Sequence, residues 1–205
     1  MDSRHFQSRA AAALLDLIEE TRLIPPSPHD LAARLQIHPI KLGEYYSDLD
    51  ALTLSMVQEA MTKISDTCIR LMVKADPDQP MEQVRALAHG FLGWALDNPA
   101  ELRLLVDPRV LHFADEPTIM AQILALFRLL EKLLTRARDM RHLHADFDAS
   151  LAVLSGFSFV YGLARVADFN PLAKFASEST DHDADIRELL FNALDNYVDN
   201  LRPRN

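Results

Sequence analysis

The sequence predicts an all-α protein, and three observations predict it. Apolar residues return at spacings of three and four along most of the 205 residues, and no stretch alternates in the manner of a strand. Prolines repeatedly follow a cap-forming residue just ahead of an apolar run, where a helix tolerates them best. Together these signals predict about nine helices, three in a small head over residues 1–48 and six in a larger body over residues 49–205.

The first helix carries Phe6, Ala10, Leu14, Leu17 and Ile18 on one face. Ser27 then supplies an N-cap, Pro28 a first-turn residue whose missing N–H costs nothing, and Asp30 a capping-box acid, opening a helix that buries Leu31, Ala32 and Leu35. Pro39 starts a brief helix after a turn too short for anything but two crossing helices. Ser47 and Asp50 repeat the capping pattern for a long helix striped by Leu49, Leu52, Met56, Ile64, Cys68 and Met72. Beyond a loop at residues 76–80, helices are expected over 81–97, and from the Asn98, Pro99, Glu101 signal to about 106. A connection follows over 107–116. Pro117 opens a helix to about Met140, and another runs from Phe147 to Asp168 through Leu151, Leu154, Phe157 and Tyr161. Asn170 and Pro171 break it, residues 172–179 are undecided, and Thr180 with Asp183 caps a last helix to about Leu201.

Residues 27–52 have the layout of a helix-turn-helix, and over residues 4–60 the chain resembles the N-terminal domain of TetR-family transcriptional regulators. The reading segment runs Ile37, His38, Pro39, Ile40, Lys41, Leu42, Gly43, Glu44, Tyr45, Tyr46. Leu42 and Tyr46 keep the family's packing positions. Gly43 stands where a phosphate-contacting tyrosine is usual, Glu44 where histidine is common and Leu49 where lysine is common. The resemblance implies double-stranded DNA as partner, with Lys41, Tyr45 and His38 in the major groove. It implies Ser27, and Tyr46 or Arg34, at the backbone, with Arg4 or Arg9 adding charge near the flanking groove. Residues 87–108 are similar to a regulator subgroup in which an aromatic-rich helix ends in a proline turn.

The same resemblance implies a homodimer, formed by the last two long helices, and a body that binds a small apolar ligand whose binding releases the DNA. Small residues Ala152, Gly156, Gly162 and Ala164 let a partner helix approach, although they serve packing within one chain as well. Candidate lining residues are Ile64, Cys68 and Met72 on the long helix, and Phe91 and Trp94 on the next. Phe127, Leu130, Phe157 and Tyr161 complete that set. His89 and Trp94 add a polar tip to an apolar body, which suits orienting a ligand. Each of these residues also fits an ordinary core.

Composition limits the alternatives. The net charge of −9 argues against a general nucleic-acid coat, and residues 1–56 carry five Arg or Lys against eight acids. Because phosphate neutralisation supplies most sequence-independent affinity, a helical small-molecule, lipid or partner-binding dimer with a relic head is the second reading. Cys68 is the only cysteine, which leaves no intrachain disulfide and favours a packing role. Five glycines leave no phosphate loop, dinucleotide fingerprint or nucleophile elbow, so no enzyme and no cofactor are expected. His142 and His144 with Asp146 or Asp148 lack the spacing of metal ligands on a helix face. No apolar run approaches the ~20 residues of a membrane span and no signal peptide is evident, so a cytoplasmic protein without membrane contact is expected.

Overall fold

The computed structural model describes residues 3–21, 27–43, 49–106, 116–166 and 185–202. These form nine helices and no strand: α1 Ser3–Thr21, α2 Pro28–Leu35, α3 Pro39–Gly43, α4 Leu49–Lys74, α5 Pro80–Asp97, α6 Pro99–Val106, α7 Pro117–Asp139, α8 Ala149–Val166 and α9 Ile186–Asp199. The expected Ser47 cap, the 107–115 connection, the Asn170-Pro171 break and the Thr180–Asp183 cap lie outside the described residues.

Helix starts follow local chemistry. The Ser27 hydroxyl accepts from the Asp30 N–H at 3.1 Å and donates to the Asp30 carboxylate at 2.6 Å, with Pro28 in the first turn. Pro80, Pro99 and Pro117 likewise occupy first positions, where the absent N–H would have had no helical partner. Asp148, rather than Phe147, opens α8, its carboxylate accepting from the Leu151 N–H at 2.9 Å. The last helix opens at Asp185, whose carboxylate accepts from the Arg187 N–H at 3.1 Å.

Two helix ends close without glycine. Gln36 has φ 57°, with its N–H on Ala33 O at 3.1 Å and the Ile37 N–H on Ala32 O at 3.0 Å. Arg141 has φ 63°, with its N–H on Arg138 O and the His142 N–H on Ala137 O, both at 2.9 Å. Both are Schellman motifs, which satisfy the last carbonyls through one left-handed residue. The turn after α2 sends the chain straight into α3.

Contacts within the chain gather it into two compact units. The first comprises Met1–Lys63 with Asn98–Gln122 and the second Ile64–Asp97 with Ile123–Asn205. In the first, α1 packs on α2 and α6, and α2 on α3. Phe6, Ala10, Leu14, Leu17 and Ile18 are buried, as their spacing predicts, together with Leu31, Ala32, Leu35 and Leu42. In the second, α5, α8 and α9 pack on one another. Gly90 there permits a close helix approach: a Cβ at this position would lie 2.8 Å from Cys68 Cα.

By length and composition α8 is apolar enough to cross a membrane, the one such helix among the described residues. Length and composition alone do not separate such a helix from a core helix, which passes the same test.

Candidate functional site

The expected reading segment forms α3 in the head. Leu42 is buried, while His38, Pro39, Ile40 and Lys41 are exposed. The His38 carbonyl accepts from the Lys41 N–H at 2.8 Å, and its Nδ1 lies 3.4 Å from the Ile40 N–H, so His38 serves the first turn of α3. Ile40 is 74 % exposed, more than any other large apolar side chain among the described residues. The residue types of the sequence did not single it out, because exposure is a tertiary property.

The other expected DNA contacts divide. Arg9 is exposed on α1 and Arg4 lies in the first turn of that helix, whereas Tyr45 and Tyr46 lie outside the described residues. Ser27 spends its hydroxyl on the α2 cap, beside the Asp30 carboxylate. Arg34 is paired through both terminal guanidinium nitrogens with Glu20 of α1, one bond measuring 3.0 Å. That guanidinium holds the Glu20 carboxyl below its usual range. On α4, the Lys63 ammonium bridges Glu59 and buried Glu101 of α6, both at 3.0 Å.

In the body, four of the expected lining residues meet. Phe157 of α8 has its ring centroid 5.7 Å from Phe91 of α5, 5.3 Å from Phe127 of α7 and 6.3 Å from Tyr161 one turn on. Leu130, half-buried, follows Phe127 by three residues on α7. The rings provide an apolar surface with one phenolic hydroxyl. Phe157 stays 40 % exposed.

Ile64 and Trp94 are buried, and Met72 is half-buried. Cys68 is buried against Gly90, and burial pushes its thiol up to about 12, which suits packing and not redox chemistry. His89 Nε2 lies 2.8 Å from Asp195 of α9, and the His89 ring packs 5.0 Å from Phe191.

That histidine belongs to a ladder of charges that sequence reasoning missed. Arg85 donates to Asp195 at 2.7 Å and to Asp199 at 2.5 Å, and Arg187 reaches Asp97 at 2.7 Å. Burial opposes ionisation of Asp195, but the bonds from Arg85 and His89 outweigh it and hold the carboxyl below its ordinary value. The available signal was the spacing of four that Arg85 shares with His89 and Asp195 with Asp199. Among the described residues no cluster of three His, Cys, Asp or Glu has the geometry to hold a metal ion.

Beside this ladder, α8 and α9 stack through Phe159 and Tyr197, with centroids 4.4 Å apart and planes at 16°. The outward side of α8 leaves Leu151 61 % and Leu154 64 % exposed, and nothing lies within 4 Å of where a Gly162 Cβ would be.

Residues 84–199 match the family described as "Tetracyclin repressor-like, C-terminal domain", which is more than half of the chain. The chain belongs to the TetR family. Solved structures agree on the fold. The ketosteroid transcriptional regulator KstR2 of Mycobacterium tuberculosis superposes with a TM-score of 0.76 at 9% identity, over 97% of this chain and 95% of that one. The TetR-family regulator PfmR of Thermus thermophilus gives 0.69 at 17% identity, over 96% and 100%. The regulator FadR of Bacillus subtilis, in complex with stearoyl-CoA, gives 0.67 at 13% identity, over 93% and 97%. At these identities the likeness shows the fold alone. No curated protein matches the chain significantly.

Proposed function

We propose that this TetR-family protein is a cytoplasmic, non-enzymatic transcriptional repressor. It binds operator DNA as a homodimer through residues 1–48 and is released by a small, largely apolar effector held in residues 49–205. The observation that carries the reading is the α2–α3 geometry: a short helix delivered by a tight turn, with Leu42 inward and Lys41 outward beside His38. A helix of that kind fits the major groove, and two copies must present it about 34–36 Å apart to meet successive half-sites. Lys41 and Tyr45 act at base edges in this reading, and Arg4 and Arg9 add charge at the flanks. Ser27 and Arg34, already engaged by Asp30 and Glu20, act mainly by holding α2 in place.

The dimer face is the outward side of α8 with the neighbouring side of α9. Burying a leucine recovers about 1.5–3 kcal/mol, so exposed Leu151 and Leu154 reward a partner strongly, while Gly162 lets its backbone approach. The effector binds at the Phe91, Phe127, Phe157, Tyr161 cluster. It releases DNA only to the extent that it binds one conformation better than the other. The structural neighbour crystallised with stearoyl-CoA supports an apolar ligand by analogy of fold.

A second reading, a ligand-binding dimer whose head no longer binds DNA, is favoured by the capture of Arg34 by Glu20, which removes a cation from phosphate contact. Selection of duplexes from a random pool, followed by footprinting, separates the two. The repressor yields a protected palindrome of two half-sites about one helical turn apart, and Leu154→Asp abolishes both the dimer in sedimentation and the footprint. Failure to enrich any sequence contradicts DNA reading.

A further inference from the structure

Ile40 is the most exposed large apolar side chain among the described residues. It is 74 % exposed on a five-residue helix, although its near neighbour Leu42 is buried and the same chain buries Ile18, Ile64 and Ile119. An isolated apolar side chain at a surface is unremarkable, but this one stands between His38 and Lys41 on the outward side of α3, the surface proposed above to face the major groove. His38 turns its Nδ1 towards the Ile40 N–H and so is committed in part to the first turn of the helix. Ile40 and Lys41 are then exposed on α3 beside Pro39, which opens the helix.

A branched alkyl group has no hydrogen-bonding capacity, so it cannot distinguish donors from acceptors on a base edge. The major groove presents one apolar group at a base edge, the thymine C5-methyl. We infer that Ile40 is a specificity-determining residue that packs on a thymine methyl in each half-site, while the adjacent Lys41 ammonium supplies attraction to phosphate or to guanine. The exposed Lys41 ammonium beside Ile40 complements a phosphate backbone, which favours DNA over an apolar protein partner as the occupant of this face. The inference rests on the DNA reading proposed above and adds the base that it selects.

Deoxyuridine tests it, because uracil pairs as thymine does and lacks only the methyl. The duplex enriched by the full-length protein is resynthesised with each thymine in turn replaced by uracil, and affinities are measured for wild type and Ile40→Ala. One thymine per half-site is expected to weaken wild-type binding about fourfold when replaced, the equivalent of one buried methylene-sized group, and to leave Ile40→Ala unaffected. Ile40→Val retains a reduced penalty, which separates loss of contact from misfolding. Uracil tolerated at every position by wild type, or an equal penalty in Ile40→Ala, overturns the inference while leaving DNA binding intact. Absence of any enriched duplex overturns the DNA reading itself, and the role of Ile40 with it.

Discussion

Replacing Gly90 by alanine is expected to destabilise the second unit, against the usual preference of helices for alanine. The new Cβ would lie 2.8 Å from Cys68 Cα, 3.2 Å from Cys68 N and 3.4 Å from Cys68 Sγ. Two of those atoms are backbone, so α4 and α5 must separate locally. Alanine gains about 1 kcal/mol over glycine in a helix interior, whereas overpacking costs about 1–3 kcal/mol. The net loss is therefore up to about 2 kcal/mol, and at about 2–4 °C per kcal/mol for a chain of this length Tm falls by up to about 8 °C. Gly93→Ala is the control, because its Cβ would meet only Phe191 Cζ at 3.8 Å, an ordinary contact, and its Tm should rise or hold. Thermal melts followed by circular dichroism compare the two. Trimming Cys68 to alanine does not rescue Gly90→Ala, since the obstruction is main chain. A Gly90→Ala protein as stable as Gly93→Ala, or one rescued by Cys68→Ala, would refute this packing.

Cys68, with its thiol pushed up to about 12 by burial, should resist a thiol reagent in the native protein at about pH 8 and react on unfolding; rapid native labelling contradicts that placement. Asp195 has its folded pKa held below 3.8, so its contribution to stability is full above that value and is lost as pH falls through the folded pKa. The stability difference between wild type and Asp195→Asn, read from urea melts, should therefore shrink from about pH 6 towards about pH 2, and a constant difference would dissociate the ladder from stability. Lys63→Met strands the buried Glu101 carboxylate without its cation and should cost about 1–3 kcal/mol. Adding Glu101→Gln to Lys63→Met should recover part of that loss, and no recovery would argue against the pair.

The parts of the fold legible in the sequence were those decided within a turn of helix. Ser27, Pro28, Pro99 and Pro117 mark starts because capping depends on the neighbouring three or four residues, whereas Pro80, read as the end of a loop, opens α5. The inward face of α1 was legible because its apolar residues leave one stripe. Helix ends were harder: Gln36 and Arg141 close α2 and α7 in a left-handed conformation that glycine usually advertises. The start of α9 was also obscure, since several acids and a threonine precede it and each could cap, whereas Asp185 does. In the body, the meeting of Phe91, Phe127, Phe157 and Tyr161 follows from aromatic residues on helices that pack together. Periodicity could not show that His89 serves Asp195. The exposure of Ile40 was illegible for the same reason, as both faces of so short a helix carry apolar residues.

The most direct measurement is fluorescence anisotropy of an enriched duplex against a scrambled one across a salt series, with wild type and Lys41→Ala. A repressor of this kind binds the enriched duplex preferentially, with log affinity falling by about 0.9 per neutralised phosphate against log salt, and Lys41→Ala binds more weakly. Equal binding to both duplexes, or none at low salt, would contradict DNA reading by the α2–α3 head.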